Sequence, residues 1–185
     1  MSKELAGKVQ TVLGPVSPED LGITLMHEHC VVNIAIWFNE PEEATQKGLA
    51  YQKVKLENLG WIRFHMNSNL DNLCLLDEQM IIEELELFKR AGGNTLVDCT
   101  IDDIGRDPSA LARISRAVGI NIIMGSGYYK GVFYGSKLVD RSEQGSEQEL
   151  ADKIIRDIKD SVRDTGVKAV IINITSPSYF YQRNL

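Results

Sequence analysis

At 185 residues, with 43% hydrophobic and 25% charged content, the chain has enough apolar sequence to bury a core, which excludes a disordered segment. Its formal net charge of -6, with no dense block of Lys and Arg, excludes a nucleic-acid backbone as its natural partner. The polar opening MSKELAGKVQ has no apolar run before a small-residue cleavage site, and no stretch reaches roughly 18 consecutive apolar residues, so neither a secretory signal nor a membrane span is expected. Cys30, Cys74 and Cys99 are odd in number and lack CxxC spacing, which argues against a disulfide framework or a zinc knuckle and suits a reducing, cytoplasmic setting. Cys30 reads as a small buried hydrophobe.

In chain order, VQTVLGPVSPEDLG predicts a short hairpin around a Gly-Pro turn, and ITLMHEH a short buried strand. Residues 39–52 are polar and aperiodic, which predicts a surface loop with at most one helical turn; LENLGWIRFHMN predicts a short helix. The segment DEQMIIEELELFKRAGG is a well-specified helix. Met80, Ile81, Leu85 and Phe88 form one stripe, acids crowd its start, Lys89 and Arg90 close its last turn, and Gly92 can take the left-handed stop. Next come a strand at NTLVDCT, a helix at DPSALARISRAVG with Pro108 in its first turn, a strand at INIIMGSG, an amphipathic helix at EQELADKIIRDIKDSV and a strand at VKAVIINI. These strands are apolar throughout, as in a parallel sheet covered by helices, so the fold class is α/β.

Polar groups and glycines gather where each strand runs out: His27 and His29, then Asp98 and Thr100, then GSGYY. Both the crevice rule for open α/β sheets and the top face of a (β/α)8 barrel place ligands at such an edge. Side chains alternate faces along a strand, so His27 and His29 point the same way, with Glu28 opposite. Two imidazoles on one face suit Zn²⁺ or a similar ion. No GxGxxG or GxxxxGK[ST] follows a strand, which argues against a nucleotide-binding domain.

Three stretches, AGKVQTVLGPVSPEDLGITLMHEH, NLGWIR and FKRAGGNTLVDCTIDDIGRDPSALARISRAVGINIIMGSGYY, resemble the phosphotriesterase family of the amidohydrolase superfamily from about residue 6 to about residue 169. The resemblance implies a (β/α)8 barrel carrying a binuclear metal centre, usually zinc, at the C-terminal strand ends. It makes His27 and His29 first-strand metal ligands and places Tyr129 in the substrate pocket. It also implies hydrolysis of a small-molecule substrate by a metal-activated hydroxide. The family spans organophosphate triesters, lactones and N-acylated compounds, and its animal branch points to small N-acyl amino acids. Arg106 and Asp107 of IGRDP read as a loop or helix-start element, with Asp107 an N-cap, Tyr128 as core, and His65 as a plain helix or surface residue.

Two departures qualify that reading. Family members carry a Lys or Glu at the end of the fourth strand to bridge the metals, whereas this chain has Asn173 and Thr175. The later strands that supply further histidines and an aspartate have no counterpart in the sequence, so one ion or none is expected, with no catalytic residue assigned. The expected organisation is therefore the N-terminal half of a barrel over residues 1–172 and a divergent tail over 173–185. A frameshift, an alternative exon end or a mispredicted gene model would give such a break, and a genuine half-barrel is the other reading. Either way the expectation is a chain with little or no activity, or a non-catalytic one that forms a homo-oligomer or docks through an exposed sheet edge.

Overall fold

The computed structural model describes residues 6–129 and 147–175. It opens with an antiparallel hairpin, β1 (Val9–Thr11) and β2 (Gly14–Val16), closed by the Thr11 hydroxyl donating to the Gly14 carbonyl at 2.8 Å. β3 (Ile23–Glu28) follows, then an excursion containing β4 (Val32–Asn33), α1 (Ala44–Ala50), α2 (Leu56–Phe64) and β5 (Cys74–Leu75), in which β4 and β5 pair antiparallel. The remainder alternates: α3 (Glu78–Arg90), β6 (Gly93–Asp98), α4 (Pro108–Val118), β7 (Asn121–Tyr129), α5 (Glu147–Lys159) and β8 (Ile171–Thr175).

The main sheet is parallel and runs β3-β6-β7-β8, so spatial order follows chain order with no reversal. That is the winding of a (β/α)8 barrel; a doubly wound sheet would reverse at a switch point. Four strands make half of such a barrel, as expected from the sequence. The period of two along each strand divides the core between two faces. Leu96, Ile122 and Met124 pack with Ile81, Leu111, Ile114 and Val118 of the helices. Val97, Cys99 and Ile123 pack on the other face with Val9, Leu21 and Ile171.

Local sequence explains the helices that hold this layer. Asp77 caps α3 by accepting from the Gln79 and Met80 amides, and Gly92 beyond its end has φ 95°. Asp107 caps α4 by accepting from the Ala110 amide at 2.9 Å, Pro108 takes the first position, and Gly119 ends it at φ 71°. Such an N-cap contributes about 1 kcal/mol.

Three expectations need correction. β3 is not buried: Ile23, Leu25 and Met26 are 64%, 38% and 67% exposed, because among the described residues β3 has a strand neighbour, β6, on one side only. Two turns of helix, α1, stand where a loop was expected; Ala50 packs fully buried at its end, and tertiary packing overrides weak local periodicity. β8 begins at Ile171 instead of Val167, because the Val167 carbonyl and the Ala169 amide bond to Val162 and Asp157 in the connection. The short helix α2 forms as expected, though Leu56 and Phe64 are exposed and Ile62 is its buried apolar residue.

Gly127 lies opposite Asn173 in the β7–β8 register with φ 154°, and a Cβ there would overlap the Asn173 carbonyl. Gly127→Ala is expected to destabilise the chain by about 1–3 kcal/mol through overpacking and strain, with amide exchange rising first in β8. Urea unfolding followed by exchange mass spectrometry measures both effects.

Candidate functional site

β3 and β6 pair in parallel with a register irregularity between Leu25 and Glu28, so the strand loosens where its histidines begin. The His27 and His29 ring centroids are 5.4 Å apart in an edge-to-face arrangement. That separation lets both rings turn a nitrogen toward one small cation. His27 is exposed and His29 half-buried.

The end of β3 is tied to the end of β6 by one buried carboxylate. Asp98, fully buried, accepts the Cys30 amide on Oδ2 at 2.7 Å and the Thr100 amide on Oδ1 at 2.9 Å. The Cys99 amide donates to the Glu28 carbonyl at 2.9 Å, and the Thr100 hydroxyl lies 3.0 Å from His29 Nδ1. Burial lowers the His29 pKa, with His27 adding to the shift and Asp98 opposing it, which favours the neutral ring that binds metals. Burial, reinforced by Asp98, pushes the Cys30 thiol far up, so Cys30 is the inert hydrophobe expected.

Two imidazoles fit two positions of a metal centre. Among the described residues no group of three or more His, Cys, Asp or Glu side chains is placed to hold an ion, one donor short of the three usual for catalytic zinc. Asn173 of β8 is near the same edge, its amide donating to the Cys99 carbonyl at 2.9 Å. The Tyr129 and Thr175 side chains lie outside the described residues, although their backbones end β7 and β8. Tyr128 is only partly buried, with the Lys153 ammonium 5.0 Å from its ring centroid. His65 lies far along the chain from this edge, its ring stacked on Trp61 and its Nδ1 2.9 Å from the Trp61 carbonyl.

The residue that sequence reasoning undervalued is Arg106. Its side chain is 1% exposed; it donates to the Gly125 carbonyl of β7 at 2.7 Å, to Asp102 at 2.8 Å and to Asp157 of α5 at 2.9 Å. Asp157 also accepts from the Ser126 hydroxyl at 2.7 Å. One guanidinium thus joins the loop after β6, the middle of β7 and helix α5. The Asp102–Arg106 spacing of four was visible in the sequence, whereas Asp157, 51 residues away, had no local signal.

Arg106→Leu is expected to cost about 3–5 kcal/mol in urea unfolding, because it leaves the buried Asp157 carboxylate without its guanidinium. Asp102 supplies a pH dependence. Burial opposes its charge, but the Lys153 ammonium and the Arg106 guanidinium outweigh that and hold its pKa below the usual carboxylate value. The resulting stabilisation is complete above the unfolded carboxylate value of about 3.9 and is lost as pH falls through the lowered folded value. Acid titration of the chain and of Asp102→Asn should therefore converge at low pH and separate above about pH 4.

Comparison with known proteins matches residues 7–179 to the Phosphotriesterase family. The N-acetyltaurine hydrolase of Dictyostelium discoideum is 34% identical over 197 residues, covering 95% of this chain and 52% of that protein. The N-acetyltaurine hydrolase of Homo sapiens is 36% identical over 169 residues, covering 91% and 47%. Among solved structures, a resiniferatoxin-binding protein from Rhodobacter sphaeroides superposes with TM-score 0.85 at 32% identity, covering 95% of this chain and 49% of that one. An organophosphorus hydrolase from Deinococcus radiodurans, at TM-score 0.59 and 23% identity, shares the fold. The chain spans about half the length of the curated relatives it matches. With the family match running through all four strands of the parallel sheet, and relatives above 30% identical along 91–95% of its length, the chain belongs to the phosphotriesterase family.

Proposed function

We propose that this chain is the N-terminal half of a zinc-dependent hydrolase acting in the cytoplasm on a small N-acyl amino acid, N-acetyltaurine being the first candidate. The observation that carries the reading is the His27–His29 pair at the end of β3, in a chain whose relatives are N-acetyltaurine hydrolases. His27 and His29 would hold zinc, and the remaining donors come from outside the described residues. Zinc, when bound, supplies Lewis-acid activation of water and of the scissile bond. The chain's own contribution is to present two imidazoles from a strand end latched by Asp98, and to place Tyr129 beside the substrate. At the end of β8, Asn173 and Thr175 stand where family members carry the bridging residue, so on this reading the 185-residue chain alone holds at most one ion and has little or no activity.

A chimera tests this, with residues 7–172 replacing the matching half of the Dictyostelium enzyme. Taurine release from N-acetyltaurine should persist, and fall to background with His27→Ala and His29→Ala together. A folded, zinc-loaded chimera that hydrolyses only lactones or phosphotriesters overturns the substrate, and one that hydrolyses none of these overturns the hydrolase reading. For the 185-residue chain itself, plasma mass spectrometry should find no more than one zinc, removed by the same double substitution.

A second reading, a non-catalytic chain that docks through its sheet edge, is favoured by the exposed Ile23, Leu25 and Met26 of β3. Sedimentation velocity separates the two: stable self-association abolished by Met26→Lys supports docking, and a monomer at all concentrations removes it.

A further inference from the structure

We infer that Thr100 is a positioning residue for His29, holding the ring as the tautomer protonated at Nδ1 and leaving Nε2 free to bind a metal. This inference rests on the reading of His29 as a ligand. A metal-binding imidazole generally donates its other ring N–H to an acceptor, and that second bond fixes both ring orientation and the nitrogen left to donate its lone pair. His29 Nδ1 is 3.0 Å from the Thr100 hydroxyl, and Thr100 is 1% exposed.

The contact is set by backbone and not by a chance rotamer. Asp98 takes the amide of Cys30, next to His29, on one carboxylate oxygen and the amide of Thr100 on the other. The same buried group therefore fixes both sides of the His29–Thr100 contact. Thr is β-branched and stiff at χ1, so fixing its backbone largely fixes its hydroxyl. The Thr100 hydroxyl oxygen can accept from Nδ1–H at this distance, which leaves the Nε2 lone pair for a cation. The opposite arrangement, with the hydroxyl donating to Nδ1, would leave the proton on Nε2 and spoil the ligand. His27, whose ring has no hydrogen-bond partner among the described residues, lacks this constraint and serves as an internal reference.

Long-range ¹H–¹⁵N NMR on the metal-free 185-residue chain at about pH 8, where imidazole is neutral, reads the tautomer directly. His29 is expected in the Nδ1–H form in the parent and in Thr100→Ser, which keeps the hydroxyl, and mixed or Nε2–H in the near-isosteric Thr100→Val. Zinc titration should show Thr100→Val binding about 10–100-fold more weakly than the parent, with Thr100→Ser close to it. Nε2–H at His29 in the parent overturns the inference, and that spectrum needs no variant to fold. Undiminished zinc affinity in Thr100→Val overturns it too. A parent that takes up no zinc, yet shows Nδ1–H lost in Thr100→Val, supports the tautomer assignment and overturns the ligand reading alone.

Discussion

The arrangement at the strand ends depends on a single buried carboxylate. Asp98 has no exposure, and a charge in that position is tolerable only with strong partners; it finds them in the amides of Cys30 and Thr100. Those bonds satisfy two backbone donors at the point where β3 and β6 stop pairing in regular register. They also fix the segment that carries His27 and His29. Without them the strand end bearing the two histidines would sample many ring separations.

A second buried charge organises the next strand, β7, at its middle. Arg106 reaches the Gly125 carbonyl, and Asp157 takes both Arg106 and the Ser126 hydroxyl, so the backbone leading into the tyrosines at 128 and 129 is tied to helix α5. Replacing the whole cluster, Arg106 together with its carboxylate partners, by well-packed apolar side chains would risk little stability on average. Its value here is positional. A guanidinium bonds in several directions at fixed angles, and this one spans three elements that apolar packing alone would leave free to slide.

The parallel sheet meets these constraints with one open side in view. β3 is polar or exposed along much of its length, and Ile172 of β8 is 53% exposed, while the two inner strands are buried. In a closed barrel every strand has two neighbours and the edge vanishes. The four-strand order of this chain and its 49% coverage of a structure that it matches at TM-score 0.85 describe the same geometric fact from two directions.

Much of this was legible in the sequence. Helices α3 and α4 are specified by caps, stripes and stop glycines that act within a few residues, and the apolar strands with polar ends declared a parallel sheet and the edge where His27, His29, Asp98 and Thr100 gather. The His27–His29 pair, its shared face and the family followed from spacing and motif alone. What the sequence could not display were interactions across long separations: Thr100 against His29, 71 residues apart, and Arg106 against Asp157, 51 apart. The exposure of β3 was equally hidden, because its residues look like those of any buried strand and only the count of neighbouring strands decides whether they are covered. Local rules determined which elements form and which side chains they offer; the tertiary structure decided which of those side chains meet, since a buried charge or an imidazole takes its role from the partner that folding brings within about 3 Å.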